Sequence, residues 1–392
     1  MVFIKILYIS DGIFPYGSAY ASRLVNFARL FHEIGIDVHI IADFTYNKDL
    51  IDNFGQGFFE KSTFEIIGNN ESMEERIKRP IICLSKVKAF LDSNFIDIVV
   101  MKSISDRFKI LYSEIKKRKI PLILESCEWY HYSGYRGGRF NPWYVQFQKC
   151  WKHEFMKADG FITISRLLEN HYKQYSQNVI RIPTILDTTS TIYNLTNDNK
   201  RIKLIYAGNP GKTKEMVANI IIALSLLREN NKRLSLDIYG PNRADIAKQL
   251  QKNDYLLEIM KDIVHIHGKI PQEQINEKYM QSDYGIFLRE DSKKNHAGFP
   301  TKLAESMVAG TPVIANNTGD IALYLKDKKN GFLLKDSSPV EVEKVLRAII
   351  DMDEKEEQDM RLYARRTAEE NFDYRRYSGL MTAFLEEVLR NK

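Results

Sequence analysis

The chain has few cysteines and no long apolar run, and these two absences exclude several classes of protein. Its 392 residues contain three cysteines, Cys83, Cys127 and Cys150, and no CxxC pair. This distribution fits neither a disulfide framework nor a zinc site, so we expect ordinary thiols. The longest apolar run, Ala218 to Leu227, is about half of the roughly 20 residues that span a bilayer. The first residues also lack the basic region and cleavage site of a signal peptide, and we therefore expect a cytoplasmic protein.

The positive charge is modest, with a formal net charge of +6. Basic residues concentrate in two runs, at 76–79 and at 116–119. Such runs are most often the solvated face of a helix. The alternative is attraction to anionic lipid headgroups or to a polyprenyl diphosphate, which would bring the protein to the inner face of a membrane. Nucleic-acid binding is not expected, because the charge is small and no basic helix or aromatic sheet motif is present.

Strand-like and helix-like segments alternate along the chain, which is longer than one hydrophobic core usually organises. Apolar runs separated by helix-length segments predict a mostly parallel sheet with helices on both faces in each half. The predicted strands are 3–10, 38–42, 96–101, 122–124, 161–164 and 179–182 in the first half, and 203–207, 234–239, 264–267, 284–288 and 313–315 in the second.

The predicted fold class is therefore α/β, with two Rossmann-like doubly wound domains in tandem. We place an N-terminal domain at 1–185, a linker rich in Thr, Ser, Asn and Asp at 186–200, and a C-terminal domain at 201–370. A last helix at 371–392 is expected to pack back on the N-terminal domain. Ligands of such sheets bind outside the carboxyl ends of the strands, so the loops there should line a cleft.

Two nucleotide-binding motifs are absent. Gly211-Lys212-Thr213 suggests a P-loop, but the Walker A motif needs a glycine where this chain has Tyr206. No GxGxxG follows the first strand of either domain, which removes the main argument for a dinucleotide oxidoreductase. What is left is a turn from Gly208 to Gly211 that carries Lys212 and Lys214 at the start of a helix. Lysines there can neutralise a diphosphate while backbone N–H groups bind it; the alternative is a turn with exposed lysines.

The segment from His296 to Ile314 is the most informative stretch of the chain. It places a glycine loop before a helix, Glu305 one turn inside that helix, and a Gly-Thr-Pro turn before the next strand. The amides of Gly298, Phe299 and Thr301 would face an anion at the helix N-terminus, and Glu305 could accept two ribose hydroxyls. The alternative is a well-capped turn with a surface glutamate.

This segment resembles the donor-site signature of retaining GT-B glycosyltransferases of family four, which commonly reads E-G-F-x-x-x-x-x-E-A-M-A-x-G-x-P-V-I. Three other stretches agree with it: the phosphate-binding turn at 208–214, the segment flanking the base at 267–271, and the I-x-x-S-x-x-L element at 161–168. The resemblance implies a nucleotide-diphosphate sugar as the donor in the C-terminal half. It implies these donor-binding residues: Gly208, Asn209, Ile270, His296, Gly298, Phe299, Pro300, Thr301 and Glu305.

Two positions depart from the family pattern. The first glutamate of the signature, which meets the hydroxyls of the donor sugar, is Ala297 here, so its role is vacant or has moved to His296, Asn295 or Glu290. The arginine often found after the first glycine of the C-terminal domain is Asn209. Lys212 and Lys214 then carry the diphosphate charge, with Lys214 favoured by its spacing. Lys302 could supplement them, although a lysine at a helix start is more often solvated.

In the N-terminal half, Gly17-Ser18-Ala19 lies where the family has a glycine loop near the donor diphosphate and the acceptor. Arg23, one helical turn on, could reach the ligand; the alternative is a turn glycine before the N-cap Ser18. Where the family often has a His-Asp pair, this chain has Ser126-Cys127-Glu128-Trp129-Tyr130-His131. Glu128 is the better polar candidate and His131 the second, and the aromatic residues could line an acceptor site or simply pack.

The resemblance implies a hexosyltransferase-type reaction with retention, no metal ion and no cofactor apart from the donor itself. Lys214 and helix N-termini would stabilise the leaving diphosphate. The acceptor would be a glycan or a polyprenyl-diphosphate-linked sugar, and the usual task of such bacterial enzymes is cell-surface polysaccharide synthesis. Two alternatives stay open: a catalytically silent GT-B subunit that binds a partner glycosyltransferase, and a nucleotide-sugar 2-epimerase, which would need acid–base carboxylates around the sugar.

Overall fold

The computed structural model describes residues 4–52, 55–68, 73–189, 193–194, 201–211, 214–227 and 232–390. The chain divides into two compact units. The N-terminal unit is Met1–Ile185 together with Tyr374–Lys392, and the C-terminal unit is Leu186–Asp373. Among the described residues, no helix is long and apolar enough to cross a membrane.

The N-terminal unit is an eight-stranded sheet with helices between its strands. In chain order its elements are β1 (Lys5–Ile9), α1 (Ala19–Glu33), β2 (Asp37–Ala42), β3 (Gln56–Phe59), β4 (Ser62–Ile66), α2 (Met73–Ser93), β5 (Ile98–Lys102), α3 (Phe108–Lys117), β6 (Leu122–Ser126), α4 (Pro142–Lys149), β7 (Gly160–Thr163), α5 (Arg166–Tyr172) and β8 (Val179–Arg181). The strand order is β3-β4-β2-β1-β5-β6-β7-β8, and only the β3–β4 pair is antiparallel.

Local sequence explains how α1 begins and ends. Ser18 caps it by accepting a hydrogen bond from the Ala21 amide at 3.0 Å. The helix buries Leu24, Phe27 and further apolar residues on the face towards the sheet. Gly35 follows its C-terminus with φ +77°, a conformation that glycine adopts without a steric penalty.

The C-terminal unit is a six-stranded, all-parallel sheet in the order β11-β10-β9-β12-β13-β14. In chain order its elements are β9 (Ile202–Ala207), α6 (Val217–Leu226), β10 (Leu234–Tyr239), α7 (Arg243–Leu250), α8 (Leu256–Ile259), β11 (Val264–Gly268), α9 (Ile275–Met280), β12 (Tyr284–Phe287), α10 (Lys293–Ala297), α11 (Thr301–Val308), β13 (Val313–Asn316), α12 (Ile321–Tyr324), β14 (Gly331–Leu334), α13 (Pro339–Ile350) and α14 (Glu354–Asn371).

The last helix, α15 (Ser378–Arg390), packs in the N-terminal unit. It buries Met381, Phe384, Leu385 and Val388 in the apolar cluster that also contains β1. The glycine at the start of β7 has a role in this contact, because a Cβ on Gly160 would lie 2.9 Å from the side chains of both Phe384 and Val388. The α15 helix is therefore part of the N-terminal core.

The eleven predicted strands are all present, each within two residues of its predicted bounds. The prediction missed β3, β4 and β14. The first two form a short antiparallel hairpin on the edge of the sheet. The four-residue β14 is too short to show a period, and it begins at Gly331, where a Cβ would lie 2.2 Å from the Val313 carbonyl oxygen. The three cysteines are free and buried, as expected of ordinary thiols.

Candidate functional site

The loops after β9 and β10 pack backbone against backbone in the C-terminal unit. The Gly208 amide donates to the Tyr239 carbonyl at 3.0 Å, and the Gly240 amide donates to the Gly268 carbonyl at 2.7 Å. Gly208 has φ +144° and Gly240 has φ +114°. A Cβ on Gly240 would lie 2.1 Å from the Gly208 carbonyl oxygen. Only glycine fits there, so the loops hold their backbones together at the carboxyl edge of the sheet.

Lys302, in the first turn of α11, is buried against the Gly208 loop. Its ammonium group pairs with the buried carboxylate of Glu215 and lies 4.4 Å from the centre of the Tyr206 ring. The Tyr206 hydroxyl also donates to Glu215. A Cβ on Gly208 would lie 2.8 Å from Lys302 Nζ. The positive charge is thus held next to a glycine backbone, in space that a Cβ would take.

Burial and pairing fix the charge states of this cluster. Burial alone would raise the pKa of Glu215, but the positive charge and hydrogen bond of Lys302, with the Tyr206 hydroxyl and Lys214, bring it below its usual range. The pKa of Tyr206 is raised well above its ordinary value by burial and by the charge of Glu215. At neutral pH Glu215 is therefore a carboxylate and Tyr206 a neutral phenol.

The predicted phosphate-binding turn is partly described. Asn209 accepts a hydrogen bond from the Gly211 amide at 2.9 Å, whereas Lys212 lies outside the described residues. Lys214 has an exposed side chain and a firmly held backbone. Its carbonyl accepts from the Glu290 amide at 3.2 Å and from Asn295 Nδ2 at 3.0 Å. The loops after β9 and β12 are thereby tied together at Lys214.

A buried polar network shapes the loop after β12. Arg289 donates from NH1 to the Asn295 carbonyl at 3.0 Å and from NH2 to Asn295 Oδ1 at 3.1 Å. The Arg289 amide donates to Asn316 Oδ1 at 2.7 Å, and Asn316 Nδ2 donates back to the Arg289 carbonyl at 2.9 Å. Burial lowers the pKa of Arg289 to about 10, with Glu215 opposing the shift. Asn295 is therefore a structural residue that fixes the path of residues 289–296.

His296 has an imidazole held in one orientation, and Ala297 stands where the family signature has glutamate. His296 Nδ1 accepts from the Gly319 amide at 2.9 Å, so its proton lies on Nε2, which contacts Asp291 Oδ1 at 2.5 Å. Ala297, where the family signature has glutamate, is fully buried. The Gly298 amide donates to the Lys294 carbonyl at 3.2 Å. That amide was predicted to face an anion, but it is used instead to end α10.

The residues that begin α11 have packing and capping roles. The Phe299 ring is buried against Tyr324 and Phe372, with ring centres 5.5 and 5.8 Å away. Pro300 is the N-cap, and its carbonyl accepts from the Leu303 amide at 3.1 Å. Thr301 is the first residue of the helix. Phe299 therefore anchors this turn in the core.

Glu305 lies one turn further into α11 and is half-buried. Burial raises the pKa of Glu305, and only the positive charge of Lys302 opposes the rise. Among the described residues no hydrogen bond ends on its carboxylate, which leaves both oxygens as acceptors. Its negative charge also adds to burial in raising the pKa of Tyr279, which shows that the two side chains are neighbours.

Ile270 lies on an apolar cluster beside these polar groups. The cluster consists of Ile205, Ala207, Tyr239, Tyr279 and Ala309. The Tyr239 ring stacks on His267, with ring centres 4.5 Å apart and planes 11° apart, and His267 Nε2 contacts Asp237 at 2.6 Å. Through Tyr239 and Tyr279 the structure brings together Gly208, Ile270, Lys302 and Glu305, all at or near the carboxyl edge of the sheet.

In the N-terminal unit, the structure uses Arg23 differently from its prediction. The prediction was that it could reach a ligand, but its guanidinium is buried and each of its three nitrogens donates a hydrogen bond within the unit. Nε donates to Glu125 at 2.6 Å, NH1 to the Pro183 carbonyl at 2.5 Å and NH2 to the Ile182 carbonyl at 3.0 Å. Gly17 has φ +105°, and a Cβ there would lie 2.8 Å from the Tyr46 ring, so this turn requires glycine.

Glu125, near the end of β6, is the centre of a buried hydrogen-bond cluster that the sequence analysis did not predict. It is fully buried and accepts hydrogen bonds from Tyr8, Tyr20, Arg23 and Cys127. Burial would raise the pKa of Glu125, but Arg23 and the hydrogen bonds together lower it. The signal in the sequence is a glutamate inside the buried run 122–126, which must be paired to be tolerated there.

Glu128 and His131, the two predicted polar candidates, have different surroundings. Glu128 is exposed, and after burial its charge is the largest cause of the raised pKa of Tyr130. The pKa of Lys102 is raised against the effect of burial, first by Asp11, which lies 2.7 Å from its ammonium, and then by Glu128. His131 is exposed and contacts the Ser133 hydroxyl at 2.8 Å, capping the turn 132–134. Glu128 thus joins a charged cluster at the carboxyl edge of the sheet, and His131 caps a turn.

Two doubly wound parallel sheets, each with polar loops at the carboxyl ends of its strands, define the GT-B fold, and solved structures agree. The chain is similar to a sucrose-phosphate synthase from Thermosynechococcus elongatus, with a TM-score of 0.76, 13% identity, and coverage of 99% of this chain and 100% of that chain. It is also similar to Anabaena HepE in complex with UDP, with a TM-score of 0.70, 14% identity, and coverage of 98% and 100%. A third is WaaG, a glycosyltransferase involved in lipopolysaccharide biosynthesis, with a TM-score of 0.66, 13% identity, and coverage of 98% and 99%. Identities this low show the fold alone.

A sequence comparison finds a family match in the second half of the chain. Residues 189–367 match the model of the glycosyl transferases group 1 family, and this stretch lies wholly inside the C-terminal unit. The match covers 179 of the 392 residues, and through it the C-terminal unit is similar to that family. The resemblance inferred from residues 296–314 is confirmed at this level. No curated protein matches the chain in sequence.

Proposed function

We propose that this protein transfers a sugar from a nucleotide-diphosphate sugar, held by the C-terminal unit, to a glycan or lipid-linked acceptor with retention of configuration. The proposal depends on two groups that occur in the same unit. One is the buried ammonium of Lys302 beside Gly208, and the other is the carboxylate of Glu305, whose oxygens are free to accept hydrogen bonds. The first suits a diphosphate and the second suits a pair of ribose hydroxyls. The match of residues 189–367 to the glycosyl transferases group 1 family supports the reaction type, and the similarity to HepE in complex with UDP supports the donor class.

In this proposal Lys302 is the main cation at the diphosphate, with exposed Lys214 as the second. Lys302 has three N–H donors, and the hydrogen bonds of the described residues occupy one of them, towards Glu215. Glu215 and the Tyr206 ring hold the ammonium in place before a ligand arrives. A preorganised positive group at a developing negative charge lowers the barrier, and loss of one such donor costs roughly 3–4 kcal/mol.

In the proposed reaction, the positive charge of Lys302 stabilises the negative charge that develops on the leaving diphosphate. The bond between the anomeric carbon and the diphosphate oxygen breaks, and the diphosphate takes the electron pair beside Lys302. The acceptor hydroxyl attacks the anomeric carbon from the same face and passes its proton to the departing diphosphate, with no metal ion in the scheme. We place the acceptor in the N-terminal unit, near the Lys102, Asp11 and Glu128 cluster, on the resemblance alone.

His296 and Asp291 are proposed to contact the donor sugar in place of the missing glutamate. The imidazole is oriented by Gly319 and is part-exposed, and Asp291 is exposed, so both can meet hydroxyl groups. The similarity to WaaG supports a place in cell-surface polysaccharide synthesis on the cytoplasmic side of a membrane.

One observation favours a second candidate function. Ala297 is fully buried at the position where the family signature has glutamate, so no side chain there can meet the sugar. A GT-B subunit that binds nucleotide without transferring sugar, and that supports a partner enzyme, would also have this feature.

The test is a thermal-shift panel with UDP, GDP, ADP and their common sugar conjugates, followed by mass spectrometry for transfer to glycan and lipid-linked acceptors. Binding to the folded state should raise the melting temperature by several degrees for one base. Glu305→Ala should weaken that binding at least tenfold, and Glu386→Ala, an exposed glutamate on α15, should not. Binding without transfer would favour the silent subunit. No shift with any nucleotide would refute both.

A further inference from the structure

The segment between Glu128 and Glu154, which we name the aromatic segment (residues 129–153), has a composition unlike the rest of the chain. It holds all three tryptophans of the protein and nine Phe, Trp or Tyr residues in 25, whereas such residues make up 11% of the whole chain. It contains four Lys or Arg residues and no Asp or Glu. Tryptophan and tyrosine beside basic residues are typical of surfaces at a membrane–water interface.

One side of the aromatic segment is fixed to the N-terminal unit. Phe147, Cys150 and Trp151 are buried, and Gln146 Nε2 donates to the Ser105 carbonyl at 2.9 Å. The Trp151 ring stacks on His171 with ring centres 4.6 Å apart. The body of the segment is therefore held in place.

The other side exposes apolar tips. Phe140 is 92% exposed, more than any other large apolar side chain among the described residues, and Trp143 and Val145 are 48% and 53% exposed. Single exposed apolar residues are common on protein surfaces. Three within six residues, next to unpaired positive charge, indicate an interaction surface.

The basic residues of the aromatic segment are available for a partner. Arg136, Arg139, Lys149 and Lys152 are exposed, and the ion pairs of the described residues use none of them. In the two basic runs singled out from sequence, by contrast, several side chains are engaged in ion pairs: Arg79 pairs with Asp43, Lys116 with Asp159, and Arg118 with Asp92 and Glu114. The aromatic segment thus combines four exposed positive charges with exposed apolar side chains.

We propose that the aromatic segment docks on an anionic lipid surface, with Phe140, Trp143 and Val145 entering the headgroup region and Arg136, Lys149 and Lys152 meeting lipid phosphates. Val145, Lys149 and Lys152, spaced by four and three residues, follow one exposed face of α4 and the turn after it. A lipid surface fits better than a stacked base, since Val145 has no ring and the Tyr132 ring is covered by the Arg139 guanidinium at 4.6 Å. The proposal stands whether or not the protein transfers sugar.

The test is flotation of the whole protein with vesicles of phosphatidylcholine alone and of phosphatidylcholine mixed with phosphatidylglycerol. Wild type should float with the anionic vesicles only, and high salt should release it. The variant R136Q/K149Q/K152Q should partition about 100-fold less, at about fivefold for each charge near the surface. Phe140→Ser, which removes no packing, should lower partitioning about tenfold or more.

Matched controls distinguish docking through the aromatic segment from nonspecific effects of net charge and of exposed apolar surface. K61Q/K344Q/K355Q removes the same charge at exposed positions elsewhere, and Phe95→Ser removes a 75% exposed ring from another surface. Both should bind as wild type does. Because all three tryptophans lie in the aromatic segment, their fluorescence should shift to the blue on binding, and less so in Trp143→Phe. Equal losses in the controls, no flotation, or binding of single-stranded RNA or free glycan in place of vesicles would overturn the proposal.

Discussion

The two units contain related buried clusters, each with a cation, a glutamate and a tyrosine from the first strand of its sheet. In the N-terminal unit, Tyr8 of β1 donates to Glu125, which pairs with Arg23. In the C-terminal unit, Tyr206 of β9 donates to Glu215, which pairs with Lys302. Both clusters lie at the carboxyl edge of the sheet, where ligands of doubly wound folds bind.

They differ in what surrounds the cation. Arg23 donates to Glu125 and to two backbone carbonyls, and Glu125 accepts from three further groups. Lys302 has one carboxylate partner and otherwise faces aromatic rings and Gly208. Each side-chain nitrogen of Arg23 is therefore held by a partner in the core of the N-terminal unit, whereas the single nitrogen of Lys302 is held by one carboxylate.

The largest loss of stability is expected from a substitution of Arg23. Arg23→Met leaves Glu125 as a buried carboxylate without its cation, and we expect a loss of about 3–5 kcal/mol in the free energy of unfolding. Arg29→Met, on the same helix, removes an ion pair with Glu60 that is partly exposed and should cost less than about 1 kcal/mol. Urea titration of both variants checks the difference. Equal losses would show that the Arg23 cluster is not a structural core.

Lys302→Met should lose about 3 kcal/mol, because Glu215 is then buried without its partner. The double variant K302M/E215Q removes both charges and should recover most of that stability, yet neither variant should bind a nucleotide diphosphate. Urea titration and calorimetric UDP binding measure the two effects separately. Lys344→Met, exposed on α13, serves as the control. Nucleotide binding by the double variant would remove Lys302 from the site.

Gly208→Ala should cost about 1–3 kcal/mol, since φ +144° is unfavourable for alanine, and its Cβ would displace the Lys302 ammonium. Gly268→Ala is the matched control, with φ +70° and nothing within 4 Å of the added Cβ. Both should lower the melting temperature, and only the first should weaken UDP binding. Equal effects on binding would mean that strain alone, and not the position of Lys302, is responsible.

Glu305→Gln should change stability least and in the opposite direction. The folded pKa of Glu305 is raised by burial, so the folded state is penalised once the pH exceeds the ordinary glutamate value, and the penalty is complete above the raised value. The variant should therefore melt about 1–3 °C higher at pH 7–8 and no differently near pH 4, while binding UDP at least tenfold more weakly. Glu386→Gln should change neither quantity. A lower melting temperature at pH 7–8 would contradict the assigned burial of charge.

The sequence predicts the sheets better than the clusters, for a physical reason. Strands such as β5, with the continuous apolar run Ile98 to Met101, are identified by a local pattern. The partner of Lys302 is 87 residues away, so the same pattern shows only a lysine at a helix start. Arg23 was open to a better prediction, because it lies four residues before Phe27 on the buried face of α1, and its guanidinium packs 4.7 Å from that ring. Glu125 likewise stands inside an apolar run.

The route of the chain through the two units has a consequence for biosynthesis. The C-terminal unit is one continuous stretch, and its ends lie side by side, with the Leu186 amide donating to the Phe372 carbonyl at 2.7 Å. The N-terminal unit needs Met381, Phe384 and Val388 to fill its core. At about 5–20 residues per second, the ribosome adds those residues roughly 10–40 s after it has made β8. The N-terminal unit, although most of it is translated first, can therefore complete its core only after the whole C-terminal unit has been translated.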